Sequence, residues 1–269
     1  MIDRYCVIGN PIAHSKSPDI HAAFARQTGQ QLSYERCLAP LDGFSDTVAE
    51  LIRQGYRGAN VTVPFKLDAA AFATSLTDRA QAAGAVNTLV FANSAIVGDN
   101  TDGAGLVCDI VRNAAFPITG KRILLLGAGG AARGALLPLL GERPAELVIA
   151  NRTRATADAL VRRFSGRDVA LSACDFADLT GSFDLVVNAT SASLADAMPP
   201  VPAGVFSPAT LALDMMYGAK PTVFMDVASG CGATVRDGLG MLVEQAAEAF
   251  ALWRGVRPDT AALLDSMRK

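Results

Sequence analysis

In Arg122-Ile-Leu-Leu-Leu-Gly127-Ala-Gly-Gly-Ala-Ala132-Arg-Gly-Ala-Leu136 a strand, a glycine turn and a helix start follow one another without a break. The apolar run 123–126 has the length and uniform hydrophobicity of a buried strand, and it passes without a spacer into Gly127-x-Gly129-x-x-Ala132 and helix-forming residues. Gly127 suits a tight turn, Gly129 lets backbone N–H groups approach an anionic diphosphate, and Ala132 is small where the helix meets the sheet. The positive end of that helix adds the field such an anion needs. Any tight strand-to-helix junction also favours glycine and alanine, so the motif alone leaves an ordinary junction open; its surroundings point to a dinucleotide.

A second apolar strand, Glu146-Leu-Val-Ile-Ala150, ends roughly 20 residues downstream, where a dinucleotide fold reads the adenosine ribose. It is followed by Asn151-Arg152-Thr153-Arg154. A free ribose calls for a carboxylate here, whereas a 2′-phosphate calls for a guanidinium and hydroxyls, which this chain offers. The alternative is two solvated charges opening the next helix. A cation there opposes the helix dipole, so the residues favour NADP(H).

Strands are expected near 122–126, 146–150, 169–172, 185–188 and 211–214, with helical stretches such as 155–164 between them: a doubly wound dinucleotide fold. The first hundred residues alternate similarly, with strands at 5–8, 33–38 and 59–61 and helices at 18–27 and 44–54. Right-handed crossovers would make this βαβαβ pattern a parallel sheet with helices on its faces, complete before Gly127. A helix over 101–115, opened by Asn100-Thr101-Asp102-Gly103 and closed by Pro117 and Gly120, joins the two sheets, with the interdomain cleft beside it. An amphipathic helix over 239–253 and a short one from Thr260 return to the first domain. The fold class is therefore α/β with two α/β domains, 1–101 plus 239–269 and 102–238.

Composition fits this reading. With 269 residues, 51% of them hydrophobic, the chain can bury two cores, and a formal net charge of −2 gives no electrostatic reason to expect nucleic acid or an anionic membrane as partner. The five cysteines (Cys6, Cys37, Cys108, Cys174, Cys231) lack any Cys-x-x-Cys pair and read as reduced, buried thiols, with no disulfide framework and no metal site. Charged Asp3 and Arg4 near the start do not resemble a signal peptide, and no apolar run is long enough to span a bilayer; a cytoplasmic protein is expected.

Three features of the first domain and its boundary exceed what a core needs. Asn10-Pro-Ile-Ala-His14-Ser15-Lys-Ser17-Pro18 lies between a strand and a helix, putting two hydroxyls where anions are well received, although an ordinary N-cap would also explain one serine. Asn60-Val-Thr62-Val-Pro-Phe-Lys66 sends a strand directly into a proline at a helix start with a lysine behind it. The third is Asp102. Taken singly, Lys66 and Asp102 are also compatible with solvated surface charges.

Together the motifs resemble the shikimate dehydrogenase family of single-chain bacterial type over nearly the whole chain. The signatures are His14-Ser15-Lys-Ser17-Pro18, Asn60-Val-Thr62-Val-Pro-Phe-Lys66, Gly84-Ala-Val-Asn87-Thr88, Asp99-Asn-Thr-Asp102-Gly103, Gly127-Ala128-Gly129-Gly130-Ala131-Ala132, Asn151-Arg152-Thr153, Asn188-Ala-Thr190-Ser191, and Asp237-Gly238-Leu-Gly-Met241-Leu242 with Gln245. The resemblance implies reversible reduction of 3-dehydroshikimate to shikimate by NADPH in aromatic amino-acid biosynthesis, with substrate in the N-terminal domain and NADP in the second. It implies that Ser15, Ser17 and Tyr217 hold the substrate carboxylate, that Thr62, Asn87, Asp102 and Gln245 bond the ring hydroxyls, and that Lys66 and Asp102 are the catalytic pair. For the cofactor it implies Gly127, Ala128, Gly129, Gly130, Ala131, Asn151, Arg152, Thr153, Thr190, Ser191, Met215, Gly238 and Met241. A small-molecule substrate is then the only partner expected, in a monomer or homodimer.

Hydride arriving at a carbonyl carbon leaves an alkoxide, which needs a positioned positive charge and a proton; a lysine oriented by an aspartate supplies both. Two departures from the family pattern bear on the cofactor. Position 156 is Thr where a second basic residue is common, with Arg154 the nearby charge, and Ala192-Ser193 stands where a glycine often follows the Asn188 motif, implying a differently shaped loop. Two alternatives stand beside this reading: a quinate/shikimate dehydrogenase using NAD, against which Asn151-Arg152 argues, and a silent dinucleotide-sensing homologue with no need for Lys66, Asp102 and the serine pair together. His14, His21 and Trp253 fall outside the expected site, His21 as a packed or capped residue and Trp253 as part of the core.

Overall fold

Short apolar runs separated by amphipathic stretches build two α/β units in the computed structural model, which describes residues 2–92, 95–166 and 168–268, apart from the side chain of Leu194. The units are Met1–Gly105 with Leu242–Lys269, and Leu106–Met241.

In the first unit, β1 (Asp3–Gly9), α1 (Ser17–Thr28), β2 (Leu32–Leu38), α2 (Phe44–Arg53) and β3 (Tyr56–Val61) follow the expected order, and β1 pairs in parallel with both β2 and β3. The sheet continues beyond them through α3 (Lys66–Phe72), β4 (Ser75–Leu76), α4 (Asp78–Ala83), β5 (Thr88–Ala92) and β6 (Ala95–Asp99). Its order is β2-β1-β3-β5-β6-β4, with β5 antiparallel to both β3 and β6. The wholly parallel sheet expected from the sequence is thus a mixed one. Only two residues separate β5 from β6, and so short a connection joins antiparallel neighbours, since a parallel crossover takes a dozen residues or more.

The core of this unit packs Ile8, Val48, Phe65, Val86 and Leu89. Thr77 caps α4 by accepting from the Ala80 N–H, and Gly84 ends it at φ +63°, a left-handed conformation that favours glycine.

The second unit is built around the opening motif. α5 (Asp102–Cys108) crosses the division and runs on as a π-helical turn, Asp109–Asn113. Then come β7 (Arg122–Leu126), α6 (Gly130–Gly141), β8 (Glu146–Ala150), α7 (Arg154–Phe164), β9 (Ala170–Cys174), β10 (Leu185–Asn188), β11 (Leu211–Asp214), α8 (Val223–Gly230) and β12 (Thr234–Arg236). Their order is β12-β11-β10-β7-β8-β9, every pair parallel, so the winding direction reverses between β7 and β10. In such sheets ligands bind outside the carboxyl ends of the strands at that reversal. Ile123, Leu124, Leu125 and Leu126 are all fully buried, as a strand covered on both faces requires. The buried Asp109 carboxylate takes two bonds from Arg236, Nε at 2.7 Å and Nη2 at 2.5 Å, and Gly240 leaves the space it occupies.

Helices α9 (Leu239–Arg254) and α10 (Ala261–Met267) close the chain. From Leu242 onward they belong to the first unit, where the Trp253 indole donates to the Leu89 carbonyl at 3.1 Å and stacks on Tyr5. Gly58 is required beneath that ring, since a Cβ there would come within 2.5 Å of the indole nitrogen. His21 is packed as expected, stacked on Tyr34 at 4.2 Å, and its ring nitrogens make no hydrogen bond of acceptable geometry among the described residues. All five cysteines are free, but only Cys6 is buried; the expectation of five buried thiols is corrected for Cys37, Cys108, Cys174 and Cys231, which are half-buried because each lies at a strand end or helix margin.

Candidate active site

The end of β3 turns sharply: the Phe65 N–H donates to the Thr62 carbonyl at 3.0 Å, and α3 starts at Lys66, so the lysine is carried on a rigid helix start. Its Nζ donates to Asp102 Oδ2 at 2.6 Å. Asp102 opens α5, and its other oxygen, Oδ1, accepts from Asn87 Nδ2 at 2.8 Å. The carboxylate is therefore bonded on both oxygens, by a cation and by a neutral donor. Lys66 is 32% exposed and Asp102 16%, so the pair is partly sheltered yet open to solvent.

The direction of the Asn87 amide is set by its neighbours. Its Oδ1 accepts from the Thr101 N–H at 2.8 Å and the Thr88 hydroxyl at 2.9 Å, which leaves Nδ2 to face Asp102. The same Nδ2 lies 3.3 Å from Gln245 Oε1, which also accepts from the Thr101 hydroxyl at 3.3 Å. Lys66, Asp102, Asn87 and Gln245 thus form one hydrogen-bonded cluster in the first unit.

Ser15 and Ser17 form a second group there. The Ser17 N–H donates to Ser15 Oγ at 3.3 Å, and Arg36 holds the Ser15 carbonyl through Nε at 3.0 Å and Nη2 at 2.6 Å. The N-cap position of α1 is occupied by Lys16 and its side chain makes no capping bond, so the helix start is served by Ser15 Oγ through the Ser17 N–H. Thr62 sits beside the end of β1: a Cβ on Gly9 would lie 2.5 Å from its methyl.

In the second unit, Gly127 adopts φ +102° and its N–H donates to the Ala150 carbonyl, making the turn at the end of β7. A side chain at Gly127 would meet the Ala189 carbonyl and the Thr190 methyl at 3.2 Å, whereas Gly129 and Gly130 face open space at the start of α6. Arg133, in the first turn of α6, has a buried Nε without a hydrogen-bond partner among the described residues. A cradle lacking side chains, an orphaned donor and the positive end of a helix of 12 residues fit a diphosphate.

At the end of β8, Asn151 Nδ2 donates to the Thr153 carbonyl at 2.9 Å and shapes the turn that follows. Arg152 and Thr153 are exposed. Arg154 is engaged by two acids, Asp158 at 3.8 Å and Asp178 at 3.5 Å, whereas Arg152 has no ion pair among the described residues. Thr190 donates to Asn188 Oδ1 at 2.7 Å, and Ser191 follows on the same loop. The Ser193 hydroxyl donates to Asp214 at 2.6 Å and accepts from Asn188, so the residue standing where glycine is common ties this loop to the end of β11. Met215 and Gly238 lie backbone to backbone, so close that a Cβ on Gly238 would overlap the Met215 carbonyl oxygen, and Met241 lies in the first turn of α9. Tyr217 follows β11 in this second unit, half-buried, and burial pushes its hydroxyl above the ordinary tyrosine range.

Sequence reasoning assigned no role to Thr88 and Thr101, although both stand inside the signature motifs, and it missed Arg36, Asp214 and Arg79 altogether. Arg79 bonds Asp99 three residues before Asp102. Burial alone would raise the Asp99 carboxyl, but Arg79 and the Thr77 hydroxyl outweigh it and hold it below the usual carboxylate range. No helix among the described residues is long and apolar enough to cross a membrane, and none of their His, Cys, Asp and Glu side chains group in a way that could hold a metal ion.

Comparison with known proteins adds a second line. Residues 7–89 match the family described as shikimate dehydrogenase substrate binding domain, residues 109–196 that described as shikimate / quinate 5-dehydrogenase, and residues 238–268 the shikimate 5′-dehydrogenase C-terminal domain. The shikimate dehydrogenase (NADP(+)) of Herminiimonas arsenicoxydans is 65% identical over 100% of this chain and 98% of its own length. Among solved structures, an Ael1 enzyme from Pseudomonas putida superposes with a TM-score of 0.96 at 50% identity, covering 99% of this chain and 98% of its own. Shikimate 5-dehydrogenase from Thermus thermophilus, solved in complex with NADP(H) and shikimate, does so with a TM-score of 0.88 at 33% identity over 99% of both chains. The chain belongs to the shikimate dehydrogenase family.

Proposed function

We propose that this enzyme catalyses the NADPH-dependent, reversible reduction of 3-dehydroshikimate to shikimate. The observation that carries the reading is the Lys66–Asp102 pair at 2.6 Å, locked by Asn87 and partly open to solvent. Full-length relatives bearing the name shikimate dehydrogenase (NADP(+)) support it.

The first unit takes the substrate and the second the cofactor. Ser15 and Ser17 offer hydroxyl donors for a carboxylate. Thr62, Asn87, Asp102 and Gln245 supply both donors and acceptors, which is what a ring bearing several hydroxyls requires. For the nucleotide, the turn Gly127–Ala131 receives the diphosphate, Asn151, Arg152 and Thr153 the 2′-phosphate, and Thr190, Ser191, Met215, Gly238 and Met241 the nicotinamide end. Bound there, the nicotinamide supplies or accepts the hydride.

What the chain itself contributes is charge and a proton. As negative charge develops on the carbonyl oxygen, the Lys66 ammonium stabilises it and donates the proton that makes the hydroxyl; in the reverse direction neutral Lys66 takes that proton. Asp102 keeps the lysine aimed, and Asn87 keeps Asp102 from rotating. Five free cysteines and the use of NADPH support a cytoplasmic enzyme.

Replacing Lys66 with Ala tests the assignment. General acid catalysis is worth about 10² to 10⁴ in rate, so turnover should fall by that order with a smaller change in the KM for shikimate. Turnover within threefold of wild type removes Lys66 from the proton step.

A further inference from the structure

The two ends of the Lys66–Asp102–Asn87–Gln245 cluster sit on different elements. Asp102 follows Asp99 by three residues at the end of β6, and Gln245 precedes Glu248 by three on α9. One side chain bonds both flanking acids. Arg79, in the first turn of α4, donates through Nε to Asp99 Oδ1 and through Nη2 to Asp99 Oδ2, each at 2.7 Å, and through Nη1 to Glu248 Oε1 at 3.0 Å.

Asp99 is thereby tied completely. Its carboxylate also accepts from the Thr77 hydroxyl at 2.6 Å and the Asn100 N–H at 2.7 Å, and its backbone carbonyl accepts from the Asn87 N–H at 3.0 Å. Asn100 passes the constraint on: its Oδ1 accepts from the Asp102 N–H at 3.2 Å, and its Nδ2 donates to the Ala85 carbonyl at 3.0 Å. On the helix side, Arg257 bonds Glu248 and, at 2.9 Å, Glu244, whose other oxygen accepts from the Thr260 hydroxyl at 2.6 Å. Asp99 and Glu244 are each only 2% exposed at their side chains.

A buried ion pair is a poor source of stability, because desolvation offsets most of its attraction and an apolar replacement often does as well. Here three carboxylates and two guanidiniums run in one chain past both ends of the catalytic cluster, which points to geometry as their use. We propose that Arg79 is a positioning residue that holds the Asp102 turn and the Gln245 segment of α9 in register, with Glu248 and Arg257 extending the hold along the helix. Arginine suits the place because its planar fork meets one carboxylate with two bonds and still reaches a second, which a lysine cannot do.

The inference rests on the reading that Asp102 and Gln245 serve shikimate turnover. The test uses the full chain as wild type, Arg79→Met, Arg79→Lys and Glu248→Gln, with steady-state kinetics on shikimate and NADP⁺ beside thermal unfolding. Small misplacements of a reacting group are costly, so Arg79→Met should lower kcat on the order of tenfold and raise the KM for shikimate. Arg79→Lys should restore much of kcat, because an ammonium still pairs with Asp99, but not the KM. Glu248→Gln leaves the Asp99 clamp intact and should raise the KM for shikimate several-fold, with kcat within about twofold of wild type. The KM for NADP⁺ should stay put throughout. Lowered melting temperatures with kcat and shikimate KM at wild-type values would reduce the ion chain to a structural brace and overturn the proposal. Should Arg79→Met fail to fold, Arg79→Lys and Glu248→Gln decide by the same split. An active wild type with indistinguishable variants overturns this proposal alone, whereas a wild type inactive on shikimate overturns the functional reading and takes this inference with it.

Discussion

Arg152 and Arg154 stand two residues apart at the start of α7, and only Arg154 has acidic neighbours within ion-pair distance among the described residues. Arg154 is shared between Asp158 and Asp178, so recruiting it would mean breaking contacts it already has, while Arg152 is exposed and pairs with no acid among the described residues. If Arg152 holds the 2′-phosphate as proposed, Arg152→Ala removes that charge-assisted interaction and breaks no ion pair among the described residues. Such bonds contribute about 1.5–3 kcal/mol, and solvent exposure of the site argues for the lower end, roughly a tenfold rise in the KM for NADP⁺. The matched control is Arg154→Ala, expected to leave that KM within about threefold, because its guanidinium is held by carboxylates. Both variants and wild type would be titrated with NADP⁺ and with NAD⁺ at saturating shikimate. Specificity should move towards NAD⁺ in Arg152→Ala only. Equal losses with the two cofactors, or a larger effect from Arg154→Ala, would refute the assignment and the reasoning from ion pairing behind it.

Asp102→Asn keeps the shape of the side chain but leaves one acceptor oxygen for two donors, Lys66 Nζ and Asn87 Nδ2, so one of them must face an amide NH₂; losing a charged hydrogen bond predicts a fall in kcat of about 10- to 100-fold, and retention of wild-type kcat would contradict it. Burial pushes the His21 pKa down to about 3 from an ordinary 6.5, so between those values the unfolded chain binds a proton that the folded chain refuses. Stability is present in full above pH 6.5 and drains as the pH falls, by up to about 1.4 kcal/mol per pH unit from this residue. Because His21 lies among Tyr34, Phe24, Phe250 and Trp253, His21→Phe should flatten that acid limb in denaturant melts; an unchanged slope would show that other groups set it. Gly238→Ala forces a methyl into the Met215 carbonyl, and backbone on both sides must shift, so the melting temperature should drop and the KM for NADP⁺ rise together; a variant matching wild type in both would show the close approach to be dispensable.

How much could be read in advance follows from how local each cause is. The Gly127 turn, the run of apolar strands and the doubly wound order were legible because the constraints of a tight turn and of a strand covered on both faces act within a few residues. Strands β5 and β6 escaped because Thr88–Ala92 is short, and its antiparallel partner is disclosed only by the two-residue connection. In the candidate site, the motifs carrying Lys66, Asp102 and Asn87 stood out, yet the bonds joining them did not. The orientation of the Asn87 amide depends on Thr88 and Thr101, and that of the Asp102 turn on Arg79, whose partners lie 20 and 169 residues away along the chain. The contrast between Arg152 and Arg154 was equally hidden: Asp158 lies one helical turn away, but Asp178 reaches Arg154 only through the fold. Ser193 looked like a change of loop shape, and its bond to Asp214, 21 residues on, gives it a holding role no local pattern discloses.

The most direct test mixes the purified protein with shikimate and NADP⁺ and follows the absorbance of the reduced nicotinamide, with quinate and NAD⁺ in the crossed wells. Fast turnover confined to the shikimate and NADP⁺ pair is the expected result. Preference for quinate or for NAD⁺ would contradict the assignment of substrate or cofactor, and silence in every well would contradict the account of Lys66 and Asp102 as a working catalytic pair.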